Sequence, residues 1–138
     1  MSSLLRLIYV SRATGPVDTE FMDGLLAQAR ARNESLGLTG ILCSGRGYFI
    51  QALEGPETPV MSLYGRILRD SRHKECSLLS IGMVSSRAFP QWSITLVEGE
   101  PLGPDLRIRL VNKVLLDRDP SEPVKLLQEA LKSLRKAS

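Results

Sequence analysis

Only two residues, Gly45 and Arg46, separate the apolar runs 37–44 (GLTGILCS) and 47–54 (GYFIQALE). A gap that short predicts a β-hairpin, because two residues can reverse a strand but cannot carry a crossover. The rest of the chain must fit around this hairpin. Upstream, residues 4–11 (LLRLIYVS) are rich in aliphatic and β-branched types and read as a buried strand. Alternation puts Leu5, Leu7, Tyr9 and Ser11 on one face and Arg6, Ile8 and Val10 on the other. Between strand and hairpin, Asp18 is a good N-cap for a helix over about 18–34. Phe21, Leu25, Gln28 or Ala29, and Arg32 trace its inner stripe. Downstream, Pro56 at a first helical position opens a second helix that ends near Arg69 and Asp70. Its stripe is Val60, Leu63, Tyr64, Ile67 and Leu68. Residues 76–86 and 91–97 read as two more strands around a turn at Phe89-Pro90.

The element order is therefore β-α-β-β-α-β-β. Right-handed crossovers put both helices on one face of a single sheet and make the first and third strands central neighbours. The fold class is α+β, a ferredoxin-like arrangement with an extra strand. A linker, Gly99-Glu100-Pro101-Leu102-Gly103-Pro104, divides this unit (1–98) from an expected two-helix extension (99–138). Leu106, Leu110 and Val114, then Val124, Leu127, Leu131 and Leu134, give those helices apolar sides. They are expected to cover the second sheet face or to form a dimer contact.

Composition narrows the chemistry. The chain has 138 residues, 43% hydrophobic and 24% charged, the balance of one ordinary globular domain. A net charge of +3, spread along the chain, is a weak field for nucleic acid. Two cysteines, Cys43 and Cys76, make no disulfide framework, and one histidine, His73, rules out a multi-histidine zinc site. No apolar run approaches a membrane span, and Met1-Ser2-Ser3-Leu4 leads into a strand pattern. A cytoplasmic protein without membrane or metal is expected.

Two helices on one sheet leave a slot between them. Tyr9 and Gln51 point into it from neighbouring strands, Asn33 lies at the end of the first helix, and Arg66, Asp70, Arg72 and His73 flank the end of the second. The result is an apolar groove with two carboxamides, one phenol and a basic mouth.

The blocks LIYVSRA, Asn33 followed by GLTGIL, YFIQALEGP, RDSRH and FPQWS together closely resemble the BLUF domain, a blue-light sensor using FAD. The resemblance runs in order from residue 4 to about 97, and the short two-helix tail is similar to that of single-domain members. It implies a photoreceptor rather than an enzyme, with FAD held non-covalently. Leu25 and Ile67 would wall the ring and Asn33 would pair with its imide. Arg72 and His73 would reach the other carbonyl, and Arg32 and Arg66 would neighbour the phosphates. Ser11 and Asp70, within matching blocks, complete the implied flavin-binding set with Tyr9 and Gln51. In the implied mechanism light excites the flavin, Tyr9 passes it an electron and a proton, and Gln51 ends rotated or tautomerised, leaving a red-shifted spectrum. Trp92 and Ile94 would carry the signal out on the last strand. Ile94 stands where the family usually has Met, and Thr95 where it usually has Gly. The implied partner is an unidentified downstream protein, with a homodimer as a further expectation.

Two rival readings share the fold. An RRM-like RNA-binding module has the same element order, and Arg46-Gly47-Tyr48-Phe49 superficially matches its third-strand motif, but Ile50 and Ala52 follow Tyr48 where stacking aromatics are needed. An acylphosphatase-like hydrolase needs a glycine-rich anion loop after the first strand, and Ser11-Arg12-Ala13-Thr14-Gly15 has one glycine.

Overall fold

The computed structural model describes residues 4–16, 20, 24, 27–28, 33–45, 47–90, 92–96, 124–125 and 128, with the backbone alone at 34, 45 and 92–96. Five strands form one sheet: β1 (Leu4–Ala13), β2 (Thr39–Gly45), β3 (Tyr48–Gly55), β4 (His73–Val84) and β5 (Trp92–Leu96), in the order β4-β1-β3-β2-β5. β1 pairs antiparallel with both β3 and β4, β2 antiparallel with β3, and β2 parallel with β5. This is the expected α+β arrangement with the first and third strands central.

Several boundaries move, each for a local reason. Gly45, expected in the hairpin turn, still pairs with Tyr48, so the turn begins after it and includes Gly47; Arg46 lies outside the described residues. Gly47 has φ 83°, in the left-handed region that favours glycine. Before β2, Glu34–Leu36 form one 3-10 turn, and Gly37 at φ 72° ends it in the left-handed region. Pro56 is not the first helical residue. Its ψ of 146° makes it the N-cap of the helix Glu57–Leu68, where its carbonyl accepts from the Val60 N–H at 3.1 Å. β4 begins at His73 rather than at residue 76 and ends at Val84.

Alternation along β1 sorts two cores onto opposite faces. Leu5, Leu7, Tyr9, Leu38 and Leu53 pack with Val60 and Leu63 of the helix Glu57–Leu68. Tyr64 and Ile67 are partly buried against them, whereas Leu68 of the expected stripe is exposed. In the first helix, Glu20, Gly24, Ala27, Gln28 and Asn33 are helical, but Gln28 is exposed and so not on the inner stripe. Phe21, Leu25, Ala29 and Arg32 lie outside the described residues.

On the other face, Ile8, Val10, Ile41, Cys43, Ile50 and Ala52 pack with Leu79 and Phe89, and Val124 from the tail lies partly buried against them. That burial removes the RRM-like reading, which needs an open platform of stacking aromatics on this face. The rest of the proposed extension, apart from Lys125 and Gln128, lies outside the described residues. Among the described residues no helix is long and apolar enough to cross a membrane.

Candidate functional site

The sheet register lines up the central residues. Tyr9 pairs with Gln51, Gln51 with Leu42, and Leu42 with Ile94. Tyr9 and Gln51 are both buried, and the Tyr9 hydroxyl donates to Gln51 Oε1. With its oxygen engaged by the phenol, Gln51 has its amino end left as the donor. Burial, more than any neighbour, raises the Tyr9 pKa well above its ordinary value, with Cys76, Tyr64 and Asp70 adding to the effect. Tyr9 is therefore a neutral phenol at physiological pH.

Tyr64 flanks Tyr9 with ring centroids 5.7 Å apart. Its own hydroxyl lies 3.9 Å from Cys76 Sγ, and burial first, then Cys76, pushes its pKa up to about 12. The helix stripe contains Tyr64, but no periodicity tells that Tyr64 and Cys76 border the phenol.

His73 closes one end. Its Nε2 lies 2.6 Å from the Ile67 carbonyl and its Nδ1 2.7 Å from Ser11 Oγ. A carbonyl only accepts, so Nε2 donates; in the neutral ring Nδ1 then accepts from the Ser11 hydroxyl. β4 can return to β1 here because its register slips between Val10 and Arg12, with Glu75 at φ 53°. Ser11, Ile67 and His73 are thus brought together as one stitch between β1, the helix end and β4.

Asn33 is buried, and its backbone carbonyl accepts from the Leu38 N–H at 3.1 Å. Its Oδ1 is buried without a hydrogen-bond partner, the sole such side-chain atom among the described residues. An orphaned acceptor costs about 1–3 kcal/mol, so an N–H donor supplied from outside the chain fits this position.

The mouth is polar. Arg72 and Asp70 chelate each other: the Arg72 N–H and Nε donate to Asp70 Oδ1 at 2.9 Å and Nη2 donates to Oδ2. Hydrogen bonding from Arg72 holds the Asp70 carboxyl below its usual range, and the same bond raises Arg72. Arg66 is exposed. Leu25 and Arg32 are outside the described residues, as are the side chains of Trp92 and Ile94. Among the described residues no group of histidine, cysteine or carboxylate side chains could hold a metal.

The arrangement suits a flat ring with a polar imide edge. The described residues offer a buried, unpaired acceptor at Asn33 and a buried phenol–carboxamide pair on the helix-facing side of the sheet. The family described as sensors of blue light using FAD, BLUF, matches residues 4–95. The beta subunit of photoactivated adenylate cyclase from Euglena longa is 34% identical over 102 residues, 73% of this chain but 12% of that protein. The alpha subunit from Euglena gracilis is 37% identical over 86 residues, 62% of this chain and 8% of that protein. The chain thus spans a small fraction of these curated relatives. In structure it is similar to dark-state BlrB, a BLUF protein (TM-score 0.72, 28% identity, 94% of this chain and 98% of that chain). It is also similar to a bacterial light-regulated adenylyl cyclase (TM-score 0.66, 26% identity, 91% of this chain and 39% of that chain).

Proposed function

The chain belongs to the BLUF family of flavin-dependent blue-light sensors, and from that premise we propose that it is a photoreceptor that binds FAD non-covalently and reports light by switching the hydrogen bonds of Gln51. Asn33 and Gln51 would hold the ring's polar edge, Ile67 would wall it, and His73 with Ser11 would close its end. Leu25, Arg32 and Arg66 are assigned to the same cofactor on the resemblance, as are Asp70 and Arg72 at the mouth. Bound there, the flavin supplies absorption of blue light and a transient demand for one electron.

The observation that carries the reading is the buried bond from the Tyr9 hydroxyl to Gln51 Oε1. Tyr9, bonded directly to that carboxamide, is a neutral phenol able to give up both an electron and a proton. Gln51 has a donor end and an acceptor end of nearly equal shape, so reversing it costs little volume. Each buried hydrogen bond is worth about 1 kcal/mol net, so the two orientations differ by little and a small perturbation selects between them. Tyr9 then recovers its electron and proton, and the altered Gln51 contacts persist. Trp92 and Ile94, on the strand beside β2, and the tail would pass the change to a downstream protein. The two-unit division at 98–99, a cytoplasmic location and a homodimer belong to the same proposal.

Purified protein should be yellow, and blue light should shift its absorption reversibly to the red. Tyr9→Phe should stay yellow and lose the shift. A colourless protein, or a shift that survives Tyr9→Phe, overturns the reading.

A further inference from the structure

A carboxylate sits where none is expected. Glu54, on β3, is fully buried, on the sheet face opposite Gln51. Burying an ionised carboxyl is costly unless every lone pair is used. Here Arg6 Nε donates to it at 2.8 Å, and the backbone N–H groups of Ala88 and Phe89 donate at 2.9 and 2.6 Å. Arg87 completes the attachment. Its guanidinium donates to Thr39 Oγ1 at 2.5 Å, to the Glu54 carbonyl at 3.2 Å and to the Gly37 carbonyl at 2.7 Å. Residues 87–89 belong to no helix or strand, yet they are tied to β3 and to both sides of the entry to β2.

These residues stand between two regions that the proposed function must connect. Glu54 follows Gln51 by three positions on one strand. Phe89, two residues past Arg87, is buried in the same cluster as Ile8, Val10 and Ile50, and Val124 of the tail packs against that cluster. β5 begins three residues after Phe89. Short charge-assisted bonds thus link β3 to Phe89, which lies in the cluster that Val124 packs against and three residues before β5.

We propose that Glu54 is a positioning residue that couples β3 to residues 87–89, so that a rearrangement at Gln51 is delivered through Phe89 to the tail at Val124; this rests on the photoreceptor reading above. Residues 87–89 loosen when Gln51 reverses and tighten on recovery. The peptide bond after Arg87 reports this, since trypsin cuts there only when the guanidinium is released from its three acceptors.

The test is limited trypsin digestion of the flavin-loaded protein in the dark and under blue light, with cleavage at Arg87–Ala88 followed by mass spectrometry and the absorption spectrum recorded in parallel. The wild type should be cut several-fold faster in light. Glu54→Gln should keep the red shift, be cut several-fold faster in the dark, with or without flavin, and lose the light-dark difference. Arg87→Lys, which keeps the cleavage site and the charge but loses the fork, should behave likewise and serves if Glu54→Gln does not fold. A purely structural Glu54 would raise dark cleavage and leave the light-to-dark ratio intact, which overturns the proposal. A normal red shift with equal cleavage in dark and light also overturns it while leaving the Gln51 switch standing. Absence of the red shift in the wild type removes both.

Discussion

Replacing Asn33 by leucine separates a residue kept for a ligand from one kept for the fold. The two side chains have similar shape, so little volume changes. Asn33 Oδ1 is buried and finds no hydrogen-bond partner among the described residues. Removing such an acceptor recovers part of a penalty of about 1–3 kcal/mol, and the bond from the Leu38 N–H is to the backbone carbonyl, which leucine keeps. Asn33→Leu should therefore leave the flavin-free protein as stable as wild type or up to about 2 kcal/mol more stable, read from urea midpoints at constant slope. Flavin affinity should move the other way. Losing one hydrogen bond and stranding the imide N–H costs about 2 kcal/mol, or roughly thirtyfold in Kd by fluorescence titration. Opposite signs for stability and affinity identify a binding residue. A flavin-free protein destabilised by about 2 kcal/mol, or an unchanged affinity, would refute the argument.

Gln51→Leu should bind flavin and stay yellow but show no red shift, and should lose about 1–3 kcal/mol of stability because the Tyr9 hydroxyl loses its acceptor; difference spectra and urea unfolding check both. Gly55→Ala would set a Cβ 2.9 Å from the Gly37 carbonyl oxygen and 3.0 Å from Leu38 Cδ2, so a loss of about 1–3 kcal/mol is expected in the same unfolding assay. Burial holds the Cys43 thiol at about 12 and Tyr64 at about 12, with Tyr9 also raised. The unfolded chain thus loses these protons first as pH rises, so stability is present below about pH 9 and falls progressively toward pH 12. Cys43→Val should flatten that fall by about 3 kcal/mol at pH 11, as measured by urea midpoints across pH.

The central pairing of the first and third strands was legible from the crossover rule, and the two faces of β1 from period-two alternation, whereas the parallel place of β5 beside β2 was not. Tyr9 and Gln51 could be paired before any coordinates, since the crossover rule makes their strands neighbours and both lie on the helix-facing side. The hairpin slipped by one residue because either of two glycines, Gly45 or Gly47, could supply the turn, and only pairing chooses between them. Its spacing from the helix stripe puts His73 at a helix end, yet it opens β4. A β-bulge opposite Ser11 creates that extension, and bulges leave little trace in sequence. Glu54 passed unread: one carboxylate in an apolar strand looks like an edge residue, and its partners at 6, 88 and 89 are distant in the chain.

The same register bears on how the switch can be read out. Across the sheet, Gln51 has Tyr9 on one side and Leu42 on the other, and Ile94 lies beyond Leu42. Neither leucine nor isoleucine carries a donor or acceptor, so no side chain in this row but Tyr9 can trade a hydrogen bond with the carboxamide. A reversed Gln51 must then push on its surroundings through packing and through its own strand. β3 is central, bonded on both sides, and close-packed interiors respond to such a push by moving as units rather than by deforming locally. The displacement is least absorbed where β3 is fastened to a segment outside the sheet. Glu54, three residues along, is the place where the described structure provides that fastening, which is why the output of this chain should be sought around Phe89 as well as along β5.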